Sequence, residues 1–262
     1  MSLGGLRLAA RSLARWSVGF AFFAAGALLV LAATVVRPPD RTLRLQRWIC
    51  RTLMRIAGAD LILRTPPGYD GRRTGIFVSN HVNLFDPFVL YATIPQIIRG
   101  LELESHFRIP FYGWVMKRFG NIPVASTRRP RRLKAAVERM RATLERGYSV
   151  VVFPEGTRTR TGRVGPFRDG AFRIAILLGY PIVPVSIVGS YALHRTGDWR
   201  LYPAGPIVVQ VHEPIETRGL TRRDAGALRD RVREIVRTPV EAALAVQDLD
   251  VRTPAHAGAR PR

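Results

Sequence analysis

The sequence predicts an α/β fold, a largely parallel central sheet flanked by helices, with an N-terminal membrane-anchoring helix or helical hairpin. Six short apolar runs of strand type lie near residues 60–64, 75–79, 97–103, 149–153, 182–188 and 206–212, and they alternate with helical patterns near 87–94, 111–119, 131–146, 169–179 and 222–246. Alternation of this kind builds a parallel sheet with helices on both faces. A second observation is the uncharged stretch from Trp16 to Val36, about the twenty residues needed to cross a hydrocarbon core. A third is that the 262 residues contain no linker-like stretch dividing them into comparable halves, so they suit one well-buried domain plus an appendage. The expected divisions are membrane-anchoring helices over 1–59, one main domain over 60–246, and a tail over 247–262 whose composition is that of a disordered segment.

At the N-terminus, a secretory signal peptide would have a shorter apolar core and a small-residue cleavage site. Here the apolar run is followed at once by Arg37-Pro38-Pro39-Asp40, so an uncleaved anchor is expected. Arginines flank both ends, with Arg7, Arg11 and Arg15 before the run and Arg37, Arg41, Arg44, Arg47 and Arg51 after it. The positive-inside rule then puts the main domain on the cytoplasmic face of the membrane by a narrow margin. After the Pro38-Pro39 break, residues 41–58 set Leu43, Trp48, Leu53, Met54 and Ile56 among arginines, the pattern of an interfacial amphipathic helix with arginines at the headgroups. A hairpin of the two segments, entering and leaving from one face, would keep both basic flanks on one side.

The formal charge of +22 requires an anionic partner or surface. Nucleic acid, anionic lipid and phosphorylated substrate all qualify on charge, but no zinc-finger spacing, RNP-like aromatic string or helix-turn-helix signal accompanies it, so no nucleic acid partner is expected. Lysine occurs only at Lys117 and Lys134, and an arginine bias of this kind also follows from genomic base composition. The single cysteine, Cys50, excludes an internal disulfide framework and a cysteine-based metal cluster. His106, His194, His212 and His256 are scattered without paired-ligand spacing, so no metal is expected.

Two strings carry the chemistry. Asn80-His81-Val82-Asn83-Leu84-Phe85-Asp86 follows the strand-like run 75–79, and chemistry in α/β proteins sits at the mouths of such strands. A turn between His81 and Asp86 would let the carboxylate reach one imidazole nitrogen and leave the other free to take a proton. No Gly-x-Ser-x-Gly elbow supplies a nucleophile, so the attacking hydroxyl would belong to the substrate. The competing reading is structural: Asp86-Pro87 is also the signature of a helix start, with aspartate as N-cap and proline in the first turn.

The second string, Phe153-Pro154-Glu155-Gly156-Thr157-Arg158, ends the apolar run 149–153. Its glycine lets backbone approach an anion, and its arginine can grip phosphate with two prongs. Glu155 would repel phosphate and is expected instead to position Arg158 or a substrate hydroxyl. Arg160, Arg163 and Arg168 widen the positive rim.

With these strings, with Phe167-Arg168-Asp169-Gly170-Ala171 and with Ile182-Val183-Pro184-Val185, the chain resembles the lysophospholipid acyltransferase family over roughly residues 60–215, in particular the 1-acyl-glycerol-3-phosphate acyltransferases. The resemblance implies transfer of a fatty acyl group from a thioester co-substrate, acyl-CoA or acyl-carrier protein, to the free hydroxyl of a membrane lysophospholipid such as lysophosphatidic acid, with no further cofactor. It implies His81 as general base, Asp86 as its orienter, and Glu155, Gly156, Thr157 and Arg158 at the substrate. The family's second block usually ends in Asp-Arg. Here Gly120-Asn121-Ile122-Pro123-Val124 runs into Ala125-Ser126, and Arg128 or Arg129 would have to supply the missing arginine. A lysine common before Ile109-Pro110-Phe111-Tyr112-Gly113-Trp114 is also absent. A different lyso-lipid acceptor, or a catalytically idle basic membrane-binding protein, are the alternatives.

Overall fold

The computed structural model describes residues 2–125 and 130–252. Its first helix, α1 (Leu3–Val36), begins well before the expected Trp16. Arg7, Arg11 and Arg15 end the hydropathy window but not the helix, because arginine, leucine and alanine are all strong helix formers. Ser2 caps it, its Oγ accepting the N–H of Gly5 at 3.2 Å. The Pro38-Pro39 break produces a 3₁₀ turn over Pro39–Thr42 and then α2 (Leu43–Ala57). The two helices pack closely where α1 is smallest. A Cβ on Gly26 would lie 2.9 Å from Ile49 Cγ2.

Neither helix stands away from the domain. Ser12 Oγ accepts the N–H of Leu201 at 3.0 Å, and Trp16 Nε1 donates to the carbonyl of Trp199 at 2.6 Å. At the other end, Arg118 donates to the carbonyl of Thr34 at 2.5 Å. Between residues 12 and 34 an α-helix advances about 33 Å, so α1 lies along the domain for that length. The arginines of α2 also depart from expectation. Arg47 donates to the carbonyls of Ile94 (3.0 Å) and Pro95, and Arg51 to that of Ala92 (3.1 Å). They point inward because α3 (Asp86–Thr93) ends there with unpaired carbonyls that a cation satisfies well.

The sheet has seven strands: β1 (Leu61–Arg64), β2 (Ile76–Ser79), β3 (Ile98–Leu103), β4 (Ile122–Val124), β5 (Ser149–Val152), β6 (Ile182–Val188) and β7 (Ile207–Val211). Their spatial order is β1-β7-β6-β2-β5-β3-β4, parallel except at β6–β7. β4, three residues long and containing Pro123, was not expected; an edge position tolerates the missing N–H. The helices α4 (Tyr112–Arg118), α5 (Pro130–Glu145), α6 (Gly170–Leu178), α7 (Ser190–Leu193) and α8 (Ala225–Arg252) complete the fold. α5, α6 and α8 cover one sheet face around Met140, Phe172 and Val232. α2 and α3 cover the other around Met54, Phe77 and Leu90. α8 continues past the expected boundary at 246, and residues 253–262 of the expected tail lie outside the described residues.

Candidate active site

Parallel pairing brings the two strings together. β2 and β5 are neighbours in register, Ile76 opposite Val150 and Val78 opposite Val152, so both chains leave the sheet at one edge. β6 flanks β2 on its other side, with Phe77 opposite Val183, and delivers Gly189-Ser190 to that edge.

Here His81 Nδ1 lies 2.8 Å from Asp86 Oδ2. The same oxygen accepts the backbone N–H groups of Val82 (2.5 Å) and Asn83 (3.0 Å), and Ser190 Oγ reaches Oδ1 at 3.4 Å. Asp86 is fully buried. An ionised carboxylate only accepts, so Nδ1 carries the proton and Nε2 holds a lone pair. The imidazole side chain is 21% exposed, and among the described residues no hydroxyl or thiol hydrogen-bonds Nε2. It stacks on Phe153, ring centroids 4.3 Å apart and planes within 17°.

The helix-cap reading of Asp86 does not match this geometry. Asp86 is the first residue of α3, not its N-cap, and its side chain folds back on the preceding turn. Turn closure falls to Asn83, whose Oδ1 accepts the N–H of Phe85 at 2.9 Å. Its Nδ2 lies within 3.0 Å of the Ser190 and His194 carbonyls and 2.9 Å from Ser190 Oγ. Thr196 Oγ1 donates to the carbonyl of Val82 at 3.1 Å. The segment after β6 therefore clasps the His81–Asp86 turn, a contact between residues 104 apart in sequence.

Glu155 does not do what was expected of it. It is 8% exposed, and its oxygens accept backbone N–H groups, Oε1 from His81 and Oε2 from Gly165, each at 2.8 Å. It positions neither Arg158 nor an open substrate site; it ties the histidine turn to the 155–165 loop. A Cβ on Gly165 would sit 2.8 Å from Oε2, so a side chain there would push the Glu155 carboxylate from its place. Burial pushes the Glu155 carboxyl above its ordinary value, and the two N–H groups oppose that shift. A raised carboxyl contributes stability that is full below the unfolded value near 4.3 and is lost as pH rises through the folded value. Replacing Glu155 by glutamine should therefore flatten the fall in stability from about pH 4 toward neutrality, read from denaturation midpoints at several pH values. The amide cannot accept from both N–H groups, so the variant should also lose about 1–3 kcal/mol for the one left bare.

Gly156, Thr157 and Arg158 are exposed at the mouth. Gly156 has φ of +71°, and a Cβ there would stand 2.8 Å from Arg168 Cζ, so the guanidinium of Arg168 lies against the glycine backbone. Among the described residues, Arg158, Arg160, Arg163 and Arg168 have no carboxylate partner, and the backbone N–H groups of Thr157 and Arg158 have no intramolecular acceptor. Arg128 and Arg129 lie outside the described residues. Sequence reasoning missed Ser190 and the stacking of Phe153; Asn83, inside the first string, was the available signal for a partner beyond it.

Beside Asp86, Pro87 and Phe88 open onto an apolar cavity of about 60 Å³ between α1, α2, α3 and α4, with Phe23, Ala27, Ile49 and Tyr112 in its wall.

Comparisons with known proteins place the chain in a family. A family model described as Acyltransferase matches residues 45–188. A chloroplastic 1-acyl-sn-glycerol-3-phosphate acyltransferase from Brassica napus is 35% identical over 140 residues, 53% of this chain and 40% of that protein. A 1-acyl-sn-glycerol-3-phosphate acyltransferase beta from Homo sapiens is 29% identical over 192 residues, 73% of this chain and 68% of that protein. The chain thus spans less than half the length of the Brassica protein. Among solved structures, the 1-acyl-sn-glycerophosphate (LPA) acyltransferase PlsC from Thermotoga maritima superposes with a TM-score of 0.77 at 24% identity, covering 91% of this chain and 96% of that one.

Proposed function

The chain belongs to the acyltransferase family, and on that premise we propose that it transfers a fatty acyl group from a thioester to the free hydroxyl of lysophosphatidic acid, giving phosphatidic acid. The observation that carries this reading is the His81–Asp86 pair with Nε2 free of any protein nucleophile among the described residues. Nε2 takes the proton of the acceptor hydroxyl as its oxygen attacks the thioester carbonyl. The tetrahedral oxyanion then collapses, the C–S bond breaks, and the departing thiolate recovers the proton from the imidazolium that Asp86 has stabilised. Gly156, Thr157 and Arg158, with Arg168 beside them, hold the acceptor phosphate at the exposed rim.

The names of the Brassica and human relatives support lysophosphatidate as acceptor. The absent second-block arginine supports another lyso-lipid, and a panel of acceptors decides between them. The idle-binder alternative loses its main support because Asp86 is not a helix cap.

The tail end of the acyl chain occupies the apolar cavity behind Pro87 and Phe88, whose volume of about 60 Å³ has room for only its last carbons. Each methylene buried there contributes about 0.8 kcal/mol, roughly fourfold in kcat/KM. Replacing Ala27 by leucine fills the wall and should make that per-carbon gain stop at a shorter thioester, read from a chain-length series.

The long apolar helix, with Phe20, Leu28, Leu29, Val35 and Val36 exposed while its other face packs on the domain, supports one-sided membrane association, and the arginine flanks favour the cytoplasmic face. A helix seated along the domain for about 33 Å cannot also cross a bilayer that the domain does not enter. An N-terminal tag on the chain in sealed vesicles should be digested from the same side as the domain; a tag protected on the opposite side would sink this topology.

A further inference from the structure

We propose that α5 is the docking surface for an acidic carrier protein that presents the acyl thioester; this deepens, and rests on, the acyl-transfer reading. Over residues 130–146 six cations stand against two carboxylates. Arg131, Arg132, Lys134, Arg139 and Arg146 are exposed. Arg132 is engaged by Glu104 and Arg141 by Glu138. Arg131, Lys134, Arg139 and Arg146 have no ion-pair partner among the described residues.

A general arginine bias does not explain this pattern, because α8 lies on the same sheet face and supplies its own acids. Arg229 pairs with Asp169 and Asp230, and Arg237 with Glu234 and Glu241. Over 225–246 four arginines meet three carboxylates, a net of +1, against six cations and two carboxylates, a net of +4, over 130–146.

The membrane is on the wrong side to be the partner. α1 and α2 belong to the sheet face built around Met54 and Leu90, and α5 to the opposite one around Met140. A helix diameter and the sheet separate the two layers, on the order of 20 Å. That exceeds two Debye lengths of about 8 Å at physiological salt, so headgroups at α1 exert little pull on α5.

Extent and position favour a protein. Arg132 and Arg139 recur seven residues apart along one flank of the helix, and Arg146 follows in the turn just past its end, a line about 21 Å long. That is the footprint of a facing acidic helix and longer than one nucleotide needs. α5 starts at the sheet edge that carries the site, after β4, and runs back to the opposite edge where β5 begins at Ser149, so Arg131 and Arg132 lie at the site's end and Arg146 at the far one. β4 lies three strands from β2 in the order β2-β5-β3-β4. At about 4.8 Å per strand the start of α5 lies about 14 Å to the side of the site, within reach of a flexible thioester arm from a carrier seated along the helix.

The test uses the full chain in detergent with two donors, an acyl-carrier protein thioester and acyl-CoA, comparing wild type with Arg139→Glu/Arg146→Glu. Both positions are exposed and outside the catalytic site. Electrostatic steering raises association rates by about 10–10³, so kcat/KM with the carrier-protein donor should fall at least about tenfold and lose most of its salt dependence. With acyl-CoA it should stay within about twofold, since the catalytic groups are untouched. An unchanged rate with the carrier-protein donor, or an equal loss with acyl-CoA, overturns the proposal. So does weaker binding to anionic vesicles with carrier-protein kinetics intact, which would assign α5 to lipid. Wild type inactive with both donors would instead bring down the acyl-transfer reading beneath it.

Discussion

Alanine at position 81 is expected to lower acyl transfer by about 10²–10⁴, the usual worth of a positioned general base, while leaving the fold in place. The side chain is 21% exposed and makes a single side-chain hydrogen bond, to Asp86. When it is removed, Asp86 still accepts from Val82 and Asn83 and still meets Ser190. No buried polar atom is stranded, so the thermal midpoint should move little even though turnover nearly disappears. Free-thiol release and circular dichroism on the same preparation measure the two quantities. A rate loss below about tenfold in a folded variant would remove His81 from the role of base.

Asp86 should separate charge from structure. Asparagine fits the same space and can still accept the N–H groups of Val82 and Asn83, but it carries no charge to stabilise an imidazolium. The amide NH₂ cannot take the place of Oδ2 toward His81, because there it would face the Val82 and Asn83 N–H donors as well. The oxygen therefore stays toward all three, and the lost charge should cost about 10² or more in kcat with modest loss of stability. Alanine, in contrast, leaves two buried N–H groups bare, on the order of 1–3 kcal/mol each, and should fail in folding as well as in catalysis. Equal kinetic and stability losses for the two variants would mean that Asp86 is structural only.

Much of this was readable in the chain because it is local. The runs around Val78, Val151 and Val185 became central strands because continuous apolar residues between turn signals suit a sheet covered on both faces. The His81–Asp86 turn and the Pro154–Arg158 loop followed from short spacings. What escaped depends on residues far apart. Glu155 reads as a ligand-facing acid until β5 is set beside β2, which puts His81 N–H within 2.8 Å of it. Ser190 has no local mark, and only the β6–β2 pairing carries it to Asp86. Arg47 and Arg51 look like headgroup contacts on a helical wheel, yet the end of α3 offers them carbonyls. β4 is too short, and too interrupted by Pro123, to give a periodic signal.

The substrate, and not the protein, should supply the attacking hydroxyl, and single-turnover chemistry without an acceptor addresses this directly. Protein mixed with a radiolabelled acyl thioester alone should release no burst of thiol and retain no label after denaturation. Added lysophosphatidate should then yield thiol and labelled phosphatidate in equal amounts. A stoichiometric burst of thiol before any acceptor is added, with acyl label fixed to the chain, would mean that a side chain is the nucleophile and that His81 activates it.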